Sequence, residues 1–250
     1  MKPSKLALVL MIMTIGNLLI AQNMSSPSRP NHQKYKLIDL GTLGGPNSFF
    51  NGGPPAVITN GGTIGAEADT TVPCSYFDGF VSPAVTWDNG VLVNLGVLPG
   101  GCFSLPNAVN AKGVLVGSGD IGLIDPTAGV PEIRADLRYG GMVIDLGTLG
   151  GNNSLANDVN EAGQVVGGAQ NTEPDLWNFG DILGLPTSTA WHGFVWQGGR
   201  MQDLGTLGGP DSFAPIINQK GQIAGFAFTN SIPNETTGIP TLDPFLWELG

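Results

Sequence analysis

The sequence predicts an all-β protein built as an array of four-stranded repeat units, and three observations support this. A phrase of the form Asp-Leu-Gly-Thr-Leu-Gly-Gly begins at Asp39, Asp145 and Asp203, and a variant of it begins at Asn94. A second phrase follows each copy, with a repeated asparagine at positions 60, 110, 160 and 218. Only 12% of the residues are charged and 39 are glycine, a composition typical of strands joined by tight turns. Self-similarity at roughly 50 residues indicates a repeat architecture.

The strands of one unit are clearest in the fourth copy. Residues 194–196 form an apolar run, and residues 200–204 alternate apolar and polar side chains after a turn that contains two glycines. Residues 212–218 and 222–228 predict two further strands separated by a tight turn. Four short strands in a unit of this length predict a β-propeller-like array. The expected units are 35–82, 83–133, 134–191 and 192–243, with a partial unit at 244–250.

The two ends of the array leave two arrangements open. Residues 35–39 predict the second strand of a unit, and residues 244–250 predict the first strand of another. The last strand would complete the first unit and close a four-bladed ring, or the array is incomplete. The absence of a distinctive cap at the end favours the incomplete array. In the third copy an apolar triplet is replaced by Ala135-Asp136-Leu137-Arg138, which predicts an irregular unit there.

Residues 1–21 have the pattern of an export signal. Lys2 and Lys5 precede an apolar run over 6–21, and Ala21 offers a small residue for cleavage. An uncleaved membrane anchor is the alternative, but polar residues interrupt the run. Residues 22–34 are rich in Ser, Pro and Asn and predict a mobile lead-in. The sequence therefore predicts an exported protein with no membrane span after cleavage of the signal.

The charge balance excludes one class of partner. The formal net charge is −10 and the sequence contains no cluster of Lys and Arg. Proteins that bind nucleic-acid phosphates or anionic membranes need such clusters. Partners outside the cell, either proteins or polysaccharides, are consistent with this composition.

Cys74 and Cys102 are the only two cysteines, and they fall in neighbouring units. In an exported protein they are candidates for a disulfide. Two separate thiols are the alternative, because the sequence does not give the distance between them.

Residues that carry catalysis or bind cofactors are scarce. The histidines, His32 and His192, and the two cysteines lack the spacing of a zinc site. No serine is set in a Gly-x-Ser-x-Gly elbow, and the glycine-rich phrase lacks the lysine and the helix of a phosphate-binding loop. The aspartates of that phrase are expected to cap turns. The sequence therefore predicts no catalytic residue, no cofactor and no metal ligand.

Local function is expected in the variable segments 67–83, 118–133, 169–191 and 229–244. They combine aromatic rings with carboxylates, which suits sugar or peptide recognition. One alternative is that the tryptophans only pack their own loop onto the array. Another is an extracellular carbohydrate-active hydrolase or lyase that uses the loop carboxylates. The candidate ligand face comprises Tyr76, Asp175, Trp177, Asp181 and Trp191.

The repeated phrases together resemble the bacterial HAF repeat family. Besides the two phrases above, the likeness rests on His192-Gly193-Phe194-Val195-Trp196, which matches the His-Ala-Phe triplet except for its central glycine; the other copies depart further. The likeness covers residues 35–250. It implies a propeller-like bacterial protein that is secreted or surface-associated, and it implies no catalytic residue. The expected function is a non-catalytic scaffold that binds an extracellular protein or polysaccharide.

Overall fold

The computed structural model of the protein describes residues 35–50, 57–75, 79–126, 129–185 and 188–248. The expected signal segment, 1–21, and the expected lead-in, 22–34, lie outside these residues. Residues 35–39 contain no strand, so the strand predicted there is wrong. In later copies the residues that lead into the glycine-rich phrase form the second strand of a hairpin. Within the described parts of the chain, no helix has the length and apolar character needed to span a membrane.

Four antiparallel sheets follow one another along the chain, and this confirms the prediction of an all-β array of four-stranded units. The first sheet contains β1 (Gly44–Phe49), β2 (Ile64–Thr70), β3 (Ala84–Asp88) and β4 (Val91–Gly96). The second contains β5 (Ser104–Val109), β6 (Leu115–Ile124), β7 (Pro131–Tyr139) and β8 (Met142–Asp145). The third contains β9 (Ser154–Val159), β10 (Val165–Gln170), β11 (Trp191–Gln197) and β12 (Arg200–Asp203). The fourth contains β13 (Ser212–Ile217), β14 (Ile223–Phe228) and β15 (Leu242–Trp247), and a short helix, α1 (Phe179–Leu183), lies between β10 and β11.

The sheets are out of phase with the units expected from the sequence. The glycine-rich phrase leads from the last strand of one sheet to the first strand of the next, whereas each variable segment joins the second and third strands of one sheet. Boundaries placed before residues 83, 134, 192 and 244 therefore fall near the start of the third strand of a sheet. Among the described residues β15 pairs only with β14, so the structure does not show β15 completing the first sheet.

Most of the core lies between adjacent sheets, and one small cluster, Ala66, Ala68 and Val85, lies within the first sheet. One apolar cluster joins the second and third sheets, another joins the third and fourth, and a smaller one joins the first and second. Gly193 shows how closely two sheets approach, because a Cβ at this position would lie 2.9 Å from the Ala214 side chain of the next sheet. Glycine at this position of β11 therefore allows β13 to pack directly against it.

One side-chain oxygen shapes the hairpin between the first two strands of each later sheet. Asn110 Oδ1 accepts hydrogen bonds from the backbone N–H groups of Lys112 and Val114, both at 3.0 Å. Asn160 and Asn218 make the same pair of bonds in the third and fourth sheets. An asparagine that bonds to the backbone two residues on favours this turn.

In the first sheet Thr59 takes this place, and the expectation that Asn60 is the equivalent residue is wrong. Thr59 Oγ1 accepts a hydrogen bond from the Thr63 N–H at 3.1 Å, and the Thr59 N–H donates to the Thr63 carbonyl at 2.9 Å. The same backbone bond joins Asn110 to Val114. A hydroxyl and an amide oxygen can both accept in this turn, so matching the asparagines by letter placed the first copy one residue out of step.

The repeated asparagines also tie the later sheets together. The Asn110 Nδ2 group donates to the Asn160 carbonyl at 2.9 Å, and the Asn160 Nδ2 group donates to the Asn218 carbonyl at 3.2 Å. Thr59 has no amide group and cannot extend this row to the first sheet. The second, third and fourth sheets therefore share a connection that the first sheet lacks.

In the last three glycine-rich phrases, the polar residue that opens the phrase caps a turn, as the sequence predicts. Asp145 Oδ1 accepts from the Gly147 N–H at 2.8 Å, and Asp203 Oδ1 accepts from the Gly205 N–H at 2.7 Å. Asn94 makes the same contact in the variant phrase. These side chains are therefore used to set the turn that leads to the next sheet.

The third copy contains a regular strand rather than the expected irregular one. β7 pairs with both neighbouring strands, and the departure is chemical: Asp136 and Arg138 occupy the positions that Phe194 and Trp196 hold in the third sheet. Both charged side chains are fully buried, and they form an ion pair with an N···O distance of 2.5 Å. A buried ion pair thus replaces an aromatic pair at this point of the array.

Cys74 and Cys102 form a disulfide, which is the first of the two alternatives that the sequence left open. Their Cα atoms lie 6.1 Å apart, within the usual range for a disulfide. Cys74 follows β2, and Cys102 precedes β5, so the bond joins the variable segment of the first sheet to the start of the second.

Candidate functional site

An open groove of about 580 Å³ lies between the third and fourth sheets. One side is formed by β11 and β12, and the other by the β13–β14 turn and the end of β15. Trp247 contributes an aromatic side chain to the groove while packing against the apolar cluster beneath it. The other lining residues are mostly polar or charged: Gln164, Val195, Gln197, Arg200, Gln202, Lys220, Gly221, Gln222 and Glu248.

The repeated asparagines orient two of the four glutamine side chains. Gln164 Oε1 accepts from Asn160 Nδ2 at 2.7 Å, and Gln222 Oε1 accepts from Asn218 Nδ2 at the same distance. The opposite end of each amide then donates within the groove, Gln164 to Gln197 Oε1 and Gln222 to Glu248 Oε2. Amides fixed in this way present donors and acceptors in defined directions.

Two basic side chains in the groove have no partner among the described residues. In the described part of Leu40–Gly250 there are five basic residues. Lys112 donates to the Glu161 carbonyl, and Arg134 and Arg138 are also hydrogen-bonded. Arg200 and Lys220 form no side-chain hydrogen bond or ion pair with any described residue, and both line the groove.

Comparisons with models of known protein families, with curated proteins and with solved structures gave no match. The repeat supplies an internal comparison instead. The strand register places Gln202 where the second sheet has Ile144, and Arg200 where it has Met142. Gln164 lies four residues after its turn asparagine, where the second sheet has Val114. Because Ile144 and Val114 pack into the core between the second and third sheets, the same location is apolar there and polar in the groove.

The structure places the predicted Trp191 in the core, which corrects its assignment to a ligand face. Trp191 has no exposed surface and packs in a cluster with Phe179, Phe213 and Phe228. Trp177 is half-buried against the same cluster. Their segment is therefore folded onto the array, as one alternative from the sequence expected, because the rings gain more by packing there than by contact with water.

Asp175 and Asp181, the two acidic residues predicted in this segment, have different surroundings. Asp175 accepts hydrogen bonds from the backbone N–H groups of Trp177, Phe179 and Gly180, so its carboxylate holds the start of α1. Asp181 is exposed on α1. Tyr76, the remaining member of the predicted face, lies outside the described residues. The structure thus gives Asp175 a role in shaping the loop.

His192 is held by both of its ring nitrogens. Nδ1 lies 2.8 Å from Asp203 Oδ2, and Nε2 lies 3.1 Å from the Pro210 carbonyl oxygen. Burial opposes the charged ring, but the hydrogen bond and the attraction of Asp203 outweigh it and raise the pKa of His192. Because the carbonyl can only accept, Nε2 donates its proton, and neither nitrogen is placed to take a proton from a hydroxyl nucleophile.

Asp211 is a buried carboxyl next to this pair. Its Oδ1 accepts from the Trp191 N–H at 2.9 Å, and its Oδ2 has no hydrogen-bond partner among the described residues. Burial raises the pKa of Asp211 to about 7, with the charge of Asp175 adding to the rise and His192 opposing it. Within the described ranges no three His, Cys, Asp or Glu side chains converge in a way that would hold a metal ion.

We expect Asp211→Asn to flatten the pH dependence of stability and to raise the free energy of unfolding at pH 7.5. With a pKa of about 7 in the folded state and an ordinary value of 3.8, Asp211 keeps a proton that the unfolded chain loses between these values. Stability therefore falls as pH rises from about 4 to 7, by about 1.4 kcal/mol per pH unit for one proton. Urea denaturation from pH 4 to 8 measures this slope.

Asp243→Asn is the matched control, because Asp243 is exposed. His192 contributes in the same direction as Asp211, since a histidine with a raised pKa adds stability below its ordinary pKa that is lost as pH rises through the folded value. Some slope should therefore remain in Asp211→Asn. An unchanged slope would contradict the assignment of the proton to Asp211.

The sequence reasoning missed the groove because it looked for variation between copies only in the loops. The signal was present at matched strand positions, where Val114, Met142 and Ile144 of the second sheet give way to Gln164, Arg200 and Gln202. Where one sheet has amide or basic residues at positions that are apolar in another sheet, those positions indicate a surface that is not used for packing.

Proposed function

We propose that the protein is an exported, non-catalytic repeat scaffold of the HAF type that binds a polysaccharide in the groove between the third and fourth sheets. The observation that carries this proposal is the set of oriented glutamine amides beside Trp247. Sugar hydroxyls are both donors and acceptors and pair well with amides, and sugar rings pack against aromatic side chains.

The shape of the groove favours a chain-like ligand. It is partly open, and its lining residues come from two sheets, so a polymer could lie along it without having to enter a closed cavity. Only Trp247 and Val195 contribute large apolar side chains to the lining, whereas pockets for compact small molecules are mostly apolar. A polar polymer therefore fits the lining better than a compact apolar ligand.

The disulfide supports the exported location. Disulfides persist mainly in oxidising compartments, including the bacterial periplasm and the cell exterior. The bond between Cys74 and Cys102 is therefore consistent with the export signal expected in residues 1–21. The same reasoning favours a partner met outside the cytoplasm, either a polysaccharide or, as the alternative outcome, a protein.

The test is binding of the full chain, after any signal cleavage, to a panel of immobilised neutral and acidic polysaccharides, followed by titration calorimetry on those retained. The variant Gln164→Val with Gln202→Ile removes one oriented amide and places in the groove the residues that the second sheet has at these positions, Val114 and Ile144. We expect it to weaken binding by about tenfold or more, since each lost hydrogen bond is worth about 1 kcal/mol.

Met142→Gln is the control, because Met142 is exposed on β8 of the second sheet and is not among the residues that line the groove. It should leave the affinity unchanged. Equal affinities of the groove variant and the native chain would place the binding site elsewhere. Failure of the chain to bind any polysaccharide, together with binding to a protein partner through the groove, would replace the polysaccharide by a protein ligand.

A further inference from the structure

We propose that the polysaccharide bound in this groove carries carboxylate groups, and that Arg200 and Lys220 pair with them. This inference rests on the proposed function and adds the chemical class of the ligand. The polymer would be a uronate-type chain, in which a carboxylate replaces the primary hydroxyl of each sugar or of some of them.

The protein is acidic overall, but its groove contains two basic residues. The chain has a formal net charge of −10, so an anionic polymer is repelled by the molecule as a whole and needs local cations to bind. Arg200 and Lys220 are the two basic residues of the described array without a partner, and both line one groove. In so acidic a protein, two unpaired cations in one site indicate an anionic ligand more strongly than a solvated surface.

The positions of Arg200 and Lys220 also favour a polymeric ligand. Arg200 begins β12 of the third sheet, and Lys220 lies in the β13–β14 turn of the fourth sheet, so they come from opposite sides of the groove. The arginine fork pairs with both oxygens of a carboxylate, and the lysine ammonium acts as a point charge. Two cations on opposite sides suit a polymer with repeated carboxylates better than a single small anion.

The groove also contains one carboxylate, and the structure shows how it is occupied. Glu248 Oε2 accepts a hydrogen bond from Gln222 Nε2 at 2.8 Å. Among the described residues Glu248 forms no ion pair with Lys220 or Arg200. The two basic side chains therefore remain available to a ligand while Glu248 is held by an amide.

The positions equivalent to Arg200 and Lys220 can be compared in the other sheets. Arg200 corresponds to Met142 in the second sheet, and Lys220 corresponds to Ala162 in the third. The second sheet has a lysine at the position of Lys220, but the ammonium of Lys112 donates to the Glu161 carbonyl. The combination of a free arginine and a free lysine thus belongs to this groove among the described residues.

The test compares polygalacturonate with the same polymer after methyl esterification, which removes the charge and keeps the sugar backbone. Titration calorimetry on the full chain should give at least about tenfold tighter binding of the free acid, as expected for one charge-assisted contact. The difference should shrink when the salt concentration is raised from about 0.05 M to 0.5 M, because salt screens exposed charges.

Arg200→Gln with Lys220→Gln should abolish the preference for the free acid, so that the acid and the methyl ester bind this variant with equal affinity. A preference that survives in this variant would contradict the assignment of the two cations. Lys112→Gln is the control for a lost positive charge, since Lys112 is the exposed lysine at the equivalent turn position of the second sheet and does not line the groove, and it should retain the preference.

Equal binding of the acid and the ester would overturn this inference and leave the proposed function standing. Loss of binding to both forms, and to neutral polysaccharides, would overturn both. Binding of polyglutamate as tight as that of polygalacturonate would overturn the assignment to a sugar polymer in favour of an acidic protein segment.

Discussion

Replacing Arg138 with methionine should lower the free energy of unfolding by about 3–5 kcal/mol at pH 7, because it leaves the Asp136 carboxylate buried without its cation. In the native chain Arg138 Nη1 lies 2.5 Å from Asp136 Oδ1, and Nη2 donates to Ser104 Oγ at 2.7 Å. Both charged side chains have no exposed surface, so water cannot take the place of the lost partner. Chemical denaturation followed by tryptophan fluorescence measures the change.

The matched control removes both charges together. Asp136→Val introduces the residue that the first sheet has at this position, Val85, and is combined with Arg138→Met. This double variant should lie within about 1–2 kcal/mol of the native chain or be more stable, because apolar replacement of a buried ion pair is often neutral or stabilising. A double variant as unstable as Arg138→Met would show that attraction within the pair itself stabilises the sheet.

The effect of pH separates an orphaned charge from a simple packing defect. Burial raises the pKa of Asp136 to about 6, and the attraction of Arg138 offsets part of that rise. Without Arg138 the carboxyl should take up a proton more readily, and a neutral carboxyl costs less to bury. The cost of Arg138→Met should therefore shrink between pH 7 and pH 5, whereas a constant cost would indicate a cavity instead.

The strands and turns of the repeat could be predicted from the sequence because each copy repeats the same pattern of apolar residues and turn-capping residues. Alternating residues over 200–204 and the apolar runs at 212–218 and 222–228 became β12, β13 and β14 within one or two residues of the expected ends. Asp145 and Asp203 cap their turns as their position before a glycine predicts. Interactions of this kind involve residues a few positions apart, so they can be predicted from the sequence.

What the sequence did not show depends on contacts between sheets. Thr59 replaces asparagine in the first hairpin because only the acceptor oxygen is needed for the turn, and a search for repeated letters therefore selected Asn60. Trp191 looked equally suited to a surface or a core, and its burial is decided by Phe213 and Phe228 of the next sheet.

The groove also depends on contacts between residues that are far apart in the sequence. Its lining combines Gln164 with residues near 200, 220 and 247, and no local pattern joins these positions. Alignment of the units by structural position, rather than by phrase, reveals them as amide or basic residues where other units are apolar. In a repeat protein, departures from the repeat on the strands are therefore as informative as departures in the loops.

Removing the disulfide with Cys74→Ser and Cys102→Ser should lower the free energy of unfolding by about 3–4 kcal/mol, as expected for freeing a loop of this length in the unfolded chain. The two cysteines are separated by 28 residues. Among the described residues, backbone hydrogen bonds between Ser82 and both Cys102 and Ser104 and a bond from Ser104 Oγ to the Gly96 carbonyl also join the first two sheets. The apolar cluster between them has three buried members, Ala84, Val109 and Leu115.

The first sheet should loosen most, and hydrogen exchange can locate the effect. It lacks the asparagine connection that ties the later sheets together, because Thr59 has no amide to donate. Exchange at the amides of Ala68 and Thr70, which donate across to the segment before β3, should accelerate much more than exchange at Val165–Gln170 in the third sheet. The same acceleration in both sheets would mean that the disulfide stabilises the array as one cooperative unit, because local opening of the first sheet alone leaves β10 protected.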